Sequence, residues 1–357
     1  MGIFRIFVCL FLLLLSSVSF AVDTNNDGVL SLGLSHTCAL DDTGVVCWGR
    51  NDYGQTDVPS LSNPTQVFVG VRQGCALDDM GVVCWGNNDS GQTDVPLLSN
   101  PTQISVGRNF NCALDDTGVV CWGNNDFGQT DVPSLTSPMK VTSGWHQACA
   151  LDDTGVVCWG INNYGTIDVP TLSNPTQVSL DLYHFCALDD TGVVCWGTND
   201  YGQTDVPSLS NPTQVSVGRK YTCALDDTGV VCWGRNDYGQ TDVPSLSNPT
   251  KVLSSDEYHI CALDDSGVVC WGRNDYGQTD VPELNFSFDE DGSDSNVTSA
   301  VLDIDANGSF DALTDGLIIL RYAFGLRGQS LIDGAISEDA MRNNASDIET
   351  YIETLLP

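Results

Sequence analysis

The chain has 357 residues, and its 13 Lys and Arg against 47 Asp and Glu give a formal charge of −34. So acidic a chain repels nucleic acid and anionic lipid, which argues against chromatin, RNA and membrane-surface roles. Only 17% of residues are charged and 41% are apolar, with eight Trp, a composition of folded rather than disordered protein.

In chain order, residues 1–21 read as a signal peptide. Arg5 supplies the basic start, 6–15 are apolar, and Ser19 and Ala21 put small residues where signal cleavage requires them. Cys9 falls within this segment. No other apolar run approaches the ~18 residues of a membrane helix, so no span is expected once the signal is removed. The expectation is a secreted or cell-surface protein. Asp23-Thr-Asn-Asn-Asp-Gly28 reads as a turn.

The remaining cysteines fall in pairs: Cys38 with Cys47, Cys75 with Cys84, Cys112 with Cys121, Cys149 with Cys158, Cys186 with Cys195, Cys223 with Cys232, and Cys261 with Cys270. Each pair brackets a string like Cys38-Ala-Leu-Asp-Asp-Thr-Gly-Val-Val-Cys47, followed by Trp48-Gly49 and then Asn51-Asp-Tyr-Gly-Gln-Thr-Asp-Val-Pro59. A fixed period near 37 residues marks a repeat architecture. Within a unit, 66–69, 74–77 and 82–85 are β-rich runs, and Gly81 offers the positive φ that a hairpin loop between the last two requires. A three- or four-stranded sheet of this size cannot bury both faces alone, so copies must stack, and closing seven of them radially leaves only short edges. The fold class expected is all-β, a seven-bladed propeller over 22–284, with a small α-helical calcium-loop domain behind it.

In an exported chain these cysteines, even in number and paired at one spacing, read as a disulfide framework. A four-residue loop at 41–44 sets Cys38 opposite Cys47, whereas a three-residue bulged loop sets Cys38 opposite Trp48. Two thiolates with eight residues between them do not make the tight pairs of a zinc site.

The copies differ most just before the first cysteine of each pair, where all four histidines lie, together with Trp145, the one Trp outside the repeat register. Equivalent positions in a propeller ring one face. The candidate binding face is therefore Trp145, His146, Tyr183, His184, Arg219, Tyr221 and Tyr258, residue types suited to protein or carbohydrate contacts. The Asp-Asp pairs of the repeats read as solvated turns, and no nucleophile–base pair stands out locally.

The Cys-Ala-Leu…Gly-Val-Val-Cys-Trp-Gly-x-Asn-x-Tyr-Gly-Gln string resembles the regulator of chromosome condensation repeat. Its short period and Gly-Gln-Thr-Asp-Val-Pro ending are similar to a compact bacterial version typified by the propeller-type β-lactamase inhibitor proteins. The resemblance covers 29–284 and implies a propeller, a fold that hosts many unrelated activities. It also implies a packed role for His36, His184 and His259, because family repeats often carry a His two residues before this cysteine position.

Residues 285–300 form an acidic linker, and 301–357 a separate domain. Asp303, Asp305, Asn307 and Asp311 offer side-chain oxygens, Ser309 a backbone carbonyl, and Asp315 a closing carboxylate one residue later than in an EF-hand, so calcium is the expected cofactor. With the amphipathic helix 315–324 this segment resembles half of a type I dockerin, which implies a cohesin as partner. The second half, with a helix at 346–356, lacks the ligand ladder. The function expected is a non-catalytic binding module for an extracellular protein or carbohydrate. The alternatives are a component of an extracellular polysaccharide-degrading system and a secreted inhibitor.

Overall fold

Each repeat folds into three consecutive antiparallel strands, in the second repeat Gln66–Val69, Gln73–Asp78 and Gly81–Gly86. Seven such sheets follow one another, every one built from neighbouring strands in sequence order. They are numbered here as blades 1 to 7, with an inner, a middle and an outer strand each. The computed structural model describes residues 28–255, 257–285 and 346–348. Contacts divide the chain into two units, Met1–Leu284 and Asn285–Pro357. In the second unit residues 346–348 are helical, within the helix expected at 346–356. The signal peptide 1–21, the linker from 286 to 300 and the calcium ligands Asp303, Asp305, Asn307, Ser309, Asp311 and Asp315 lie outside the described residues.

The hairpin between middle and outer strands is tighter than the four-residue loop expected. Asp41 pairs with Gly44, so the tip is only Asp42-Thr43. The Asp41 carboxylate accepts the Thr43 backbone N–H (2.8 Å) and hydroxyl (2.6 Å), and the positive φ falls on Gly44 (118°). Beyond the tip the expected register holds: Leu40 faces Val45, Ala39 faces Val46 and Cys38 faces Cys47.

Opposed cysteines sit 4.0–4.1 Å apart at Cα in all seven blades. Each pair is a disulfide within its own blade. Cys38 is joined to Cys47, Cys75 to Cys84, Cys112 to Cys121, Cys149 to Cys158, Cys186 to Cys195, Cys223 to Cys232, and Cys261 to Cys270. The two ends of each bond differ in burial, which the spacing alone does not distinguish. The middle-strand members are fully buried between blades, whereas Cys47, Cys84, Cys121, Cys158, Cys195, Cys232 and Cys270 lie on the outer strands and are only partly covered.

The sheets bury their faces against one another. A typical cluster takes Phe110 and Cys112 from blade 3 and Val141, Ala148, Ala150 and Trp159 from blade 4, with Cys121 packed at its edge. The middle strand is buried along nearly its whole length because blades cover it on both sides. Each outer-strand Trp also donates its indole N–H across the gap to a backbone carbonyl of the preceding blade's connecting segment. Trp85 reaches Gln55 O (2.9 Å), Trp122 reaches Gln92 O (3.0 Å) and Trp159 reaches Gln129 O (2.9 Å).

The same bond closes the ring. Trp48 of blade 1 donates to Gln278 O behind blade 7 (3.0 Å), and Thr37 Oγ1 bonds the same carbonyl (3.1 Å). The inner strand Leu30–Leu32 packs against Lys251–Ser254, as every other inner strand packs against its neighbour. Gly49 shows how close the blades come: with φ at 99°, a Cβ there would lie 2.9 Å from His36 Cα and 3.3 Å from Gln278 Cα.

The disulfides brace hairpins that already pair well. Replacing Cys75 and Cys84 together by Ala should lower unfolding stability by at most about 2–3 kcal/mol in denaturant titration, and leave the ring formed. Mass spectrometry of unreduced peptides should find only the seven within-blade links; a link between blades contradicts this arrangement.

Candidate binding face

Antiparallel threading sorts each blade's loops by end. The loop between inner and middle strands and the segment after the outer strand emerge together, tied by bonds such as Asn87 N to Arg72 O (2.9 Å) and Arg235 N to Lys220 O (2.9 Å). This end is the loop face. The opposite, hairpin face carries the Asp-Asp tips and the Ser-Asn-Pro connections. There Asp78 accepts the Ser62 N–H (2.9 Å), and Asn63, at φ 49°, donates to Asp79 (2.6 Å). Burial alone would raise the first carboxyl of these tips. In blades 3 to 7 several hydrogen bonds outweigh it and hold Asp115, Asp152, Asp189, Asp226 and Asp264 below the ordinary carboxylate value.

Cations, not acids, are distributed unevenly between the ends. The hairpin face has two aspartates per blade, and the segments after the outer strands carry nearly as many on the loop face. Of the basic residues in the described propeller, Arg50, Arg72, Arg108, Arg219, Lys220, Arg235 and Arg273 all lie on the loop face, while Lys140 and Lys251 begin inner strands near the other end.

Aromatic rings lie among these cations. After each outer strand the Asn-Asp-Tyr-Gly-Gln loop is locked internally: Asn51 donates to Asp57 (2.7 Å), Thr56 N bonds Asn51 Oδ1 (3.0 Å), and the buried Gln55 accepts the Tyr53 N–H (2.9 Å). The locked loops hold Tyr53, Phe127, Tyr164, Tyr201, Tyr238 and Tyr276 at 37–46% exposure. A side chain of the next blade covers most of these rings. Arg72 lies 4.3 Å from the Tyr53 ring, His146 4.5 Å from Phe127, Tyr183 5.3 Å from Tyr164, Lys220 5.0 Å from Tyr201, and Tyr258 stacks at 5.0 Å on Tyr238. Toward the axis, Arg108 sits 4.4 Å over the Trp145 ring, and Arg219, from two blades further on, approaches it to 5.8 Å. Arg219 also lies 5.8 Å from the Tyr183 ring, and Arg108 Nη1 lies 3.4 Å from His146 Nε2.

Trp145, His146, Tyr183 and Arg219 lie together on this end and are partly exposed. His184 and Tyr221 are corrections: both are fully buried and cannot touch a partner. Each is the first residue of a middle strand, a position that points between blades. His184 Nε2 bonds Thr222 Oγ1 of blade 6 (2.8 Å), and Tyr221 donates to Ser255 O (2.9 Å) and His259 O (3.0 Å) of blade 7. Tyr258 is a partial correction. Its ring is buried on Tyr238, and its hydroxyl accepts from Arg235 at 2.7 Å.

The inter-blade latch position is filled in turn by His36, Gln73, Phe110, Gln147, His184, Tyr221 and His259, all fully buried. At the ring's junction His259 bonds Ser255 Oγ (2.7 Å) and Thr37 Oγ1 (3.1 Å). Burial holds His36, His184 and His259 down to about 3, with His36 adding repulsion at His259. Asp181 lies 4.0 Å from His184 Nδ1, beyond hydrogen-bond distance, so burial dominates there too. His146 is also lowered, by burial first and then by Arg108, with Asp126 opposing.

The loop tyrosines and their arginines were not singled out from sequence, because they belong to the invariant part of the repeat. The available signal was topological: an outer strand must end where the middle strand begins.

A family model described as the regulator of chromosome condensation (RCC1) repeat matches residues 30–55, 102–129, 176–203, 213–240 and 256–278. No curated protein matches this chain in sequence. Among solved structures, the entire ectodomain of the receptor kinase CR4 from Physcomitrella patens is 25% identical, with 69% of this chain and 74% of that chain covered at a TM-score of 0.59. The CRINKLY WD40 ectodomain of the receptor kinase ACR4 from Arabidopsis thaliana is 22% identical over 69% of this chain and 97% of that one, at 0.58. Prp20p from Saccharomyces cerevisiae is 18% identical over 63% and 80%, at 0.54. The fold is an RCC1-like propeller of seven three-stranded sheets.

The latch histidines give this fold a pH signature. Their folded values lie below the unfolded one, so stability is complete above pH 6.5 and falls as pH drops toward 3, by about 2 kcal/mol per histidine at pH 5. Gln occupies the same position in blades 2 and 4. Replacing His36, His184 and His259 by Gln should remove most of the pH 5–7 dependence of urea midpoints, leaving the His146 contribution and the aspartate-driven loss below about pH 4.

Proposed function

We propose that this chain is an exported, non-catalytic binding module whose loop face receives an extracellular protein or carbohydrate partner. The observation that carries the reading is the segregation of cations and exposed aromatic rings to one end of a strongly acidic molecule. Arg, Tyr and Trp are the side chains that most often anchor interfaces, since they offer broad contact area and directed polar groups together. Seven disulfides support an oxidising, extracellular setting, and so does the likeness to a receptor-kinase ectodomain.

The tail belongs to the same proposal on sequence alone. Asp303, Asp305, Asn307, Ser309, Asp311 and Asp315 form an oxygen donor set suited to calcium, the segment resembles a dockerin half, and its expected partner is a cohesin. The rival readings, a polysaccharide-degrading component or a secreted inhibitor, require a catalytic constellation or a docked enzyme.

Trp145 tests the face. Half-exposed between two guanidiniums, it can be truncated without opening the blade interface. Trp145→Ala should therefore weaken partner capture from the secretome, or binding on a glycan panel, by more than about 1 kcal/mol with an unchanged melting point. A lowered melting point with unchanged binding assigns Trp145 to packing instead.

A further inference from the structure

We propose that the ring is an acid-operated clasp: falling pH opens it at one junction, between blades 7 and 1, while the other six stay closed. This switch is independent of what the loop face binds.

Covalent continuity singles the junction out. Every sheet is made of sequence neighbours and every disulfide lies within one blade. The connecting chain therefore spans six junctions, and among the described residues no segment spans the seventh. A tie between inner strands is missing there too. Gln103 and Ser105 of blade 3 accept the N–H groups of Val141 (3.0 Å) and Ser143 (2.7 Å). Gln177 and Ser179 do the same for Val215 and Val217, and Gln214 and Ser216 for Val252 and Ser254. Blade 7 has Lys251 and Leu253 in these places. Neither side chain has an acceptor to offer the N–H groups of Leu30 and Leu32.

What latches blade 7 to blade 1 is a hydrogen-bond chain that requires a neutral imidazole. Thr37 Oγ1 of blade 1 donates to Gln278 O (3.1 Å), so it accepts from Nε2–H of His259 (3.1 Å). Nδ1 is then bare and accepts the Ser255 hydroxyl (2.7 Å). That hydroxyl oxygen already receives the backbone N–H groups of His259 (3.0 Å) and Glu257 (3.3 Å), which fill its two lone pairs. A proton on Nδ1 therefore meets a donor where it needs an acceptor.

The charged groups that face this junction, among the described residues, do not absorb that proton. His36 is fully buried, neither of its ring nitrogens has a hydrogen-bond partner, and its charge repels His259. Glu257 accepts from Ser35 Oγ and lies 3.5 Å from Arg273. Arg50, at the rim, pairs with Asp52 (2.6 Å) and lies 4.8 Å from the Tyr276 ring. The other two latch histidines sit at better-held junctions. His184 has Asp181 at 4.0 Å, together with the Gln177 and Ser179 ties. Between blades 1 and 2, Gly28 O and Ser31 Oγ accept the N–H groups of Val67 (2.8 Å) and Val69 (3.0 Å).

The sign follows from burial, which holds folded His259 down to about 3 against 6.5 when free. The closed form is thus fully favoured above pH 6.5, and freeing one imidazole makes opening about twentyfold easier at pH 5 than at pH 7.

Hydrogen exchange of the full-length protein at pH 7 and pH 5, read by mass spectrometry and scaled to intrinsic rates, reports each junction separately. Peptides spanning 30–41 and 259–264 should exchange at least about tenfold faster at pH 5, and those spanning 184–189 and 221–226 should change by less than about threefold. His259→Gln, with the residue type that fills this position in blades 2 and 4, should abolish the rise, whereas His184→Gln should leave it. Leu253→Ser, which supplies the missing acceptor and leaves the histidine in place, should reduce it. An equal rise in all blades, no rise at the junction of blades 7 and 1, or a full rise in folded His259→Gln protein overturns the assignment. If His259→Gln does not fold, Leu253→Ser decides, and an undiminished rise in that variant overturns it.

Discussion

One hydrogen bond, repeated around the ring, sets the geometry of this molecule: the indole N–H of each framework Trp to a backbone carbonyl of the preceding blade. It fixes the distance between sheets and buries the Trp ring against the neighbour's disulfide and aliphatic side chains. Because the acceptor belongs to the backbone, the bond survives where the repeat changes. In blade 4 Thr166 replaces the usual Gln, and Trp196 still reaches its carbonyl at 2.7 Å. The buried Gln elsewhere stiffens the same segment, as Gln92 does by accepting the Ser90 N–H at 2.9 Å. Radial closure then follows from applying one contact seven times, with Trp48 and Gln278 as its last instance.

That closure delivers the binding chemistry. A strand that enters at one end of a blade must leave at the other, so three strands per blade send two kinds of loop to each face. The hairpin face receives Asp-Asp tips, whose first carboxylate is consumed in capping its own turn. The loop face receives the rigid tyrosine loops and the variable segments beside them. In blades 2, 4, 5, 6 and 7 a variable side chain leans on the preceding blade's ring, so contacts such as Arg72 on Tyr53 and Lys220 on Tyr201 are scaffolded by a framework that barely varies. Diversity at this face costs the fold little.

The period, the strand assignments and the facing of Cys38 and Cys47 were legible in the sequence, because spacing and turn residues dictate them locally. The hairpin tip was less so. Whether Asp41 joins the ladder depends on its carboxylate caging Thr43, a side-chain choice that spacing does not encode. Variability misled at His184 and Tyr221. Both stand two residues before a first cysteine, like His36 and His259, and in a strand that count fixes which way a side chain points. Their diversity records different ways of latching adjacent blades: imidazole to hydroxyl, phenol to carbonyl, amide to carbonyl. The residue one place earlier, Tyr183 or Lys220, lies in the loop and reaches the surface. Sequence variation does not separate these neighbours; register does.

Hydrogen exchange of the tryptophan indole N–H groups, read by nitrogen-edited NMR of the full-length protein, tests the ring most directly. The account predicts seven protected indoles, with Trp48 exchanging as slowly as Trp85 and Trp122, because the bond to Gln278 is equivalent to those within the chain of blades. A Trp48 indole that exchanges at the rate of a solvent-exposed one, while the other six stay protected, would mean that blade 7 does not close onto blade 1 and that the loops form no continuous face.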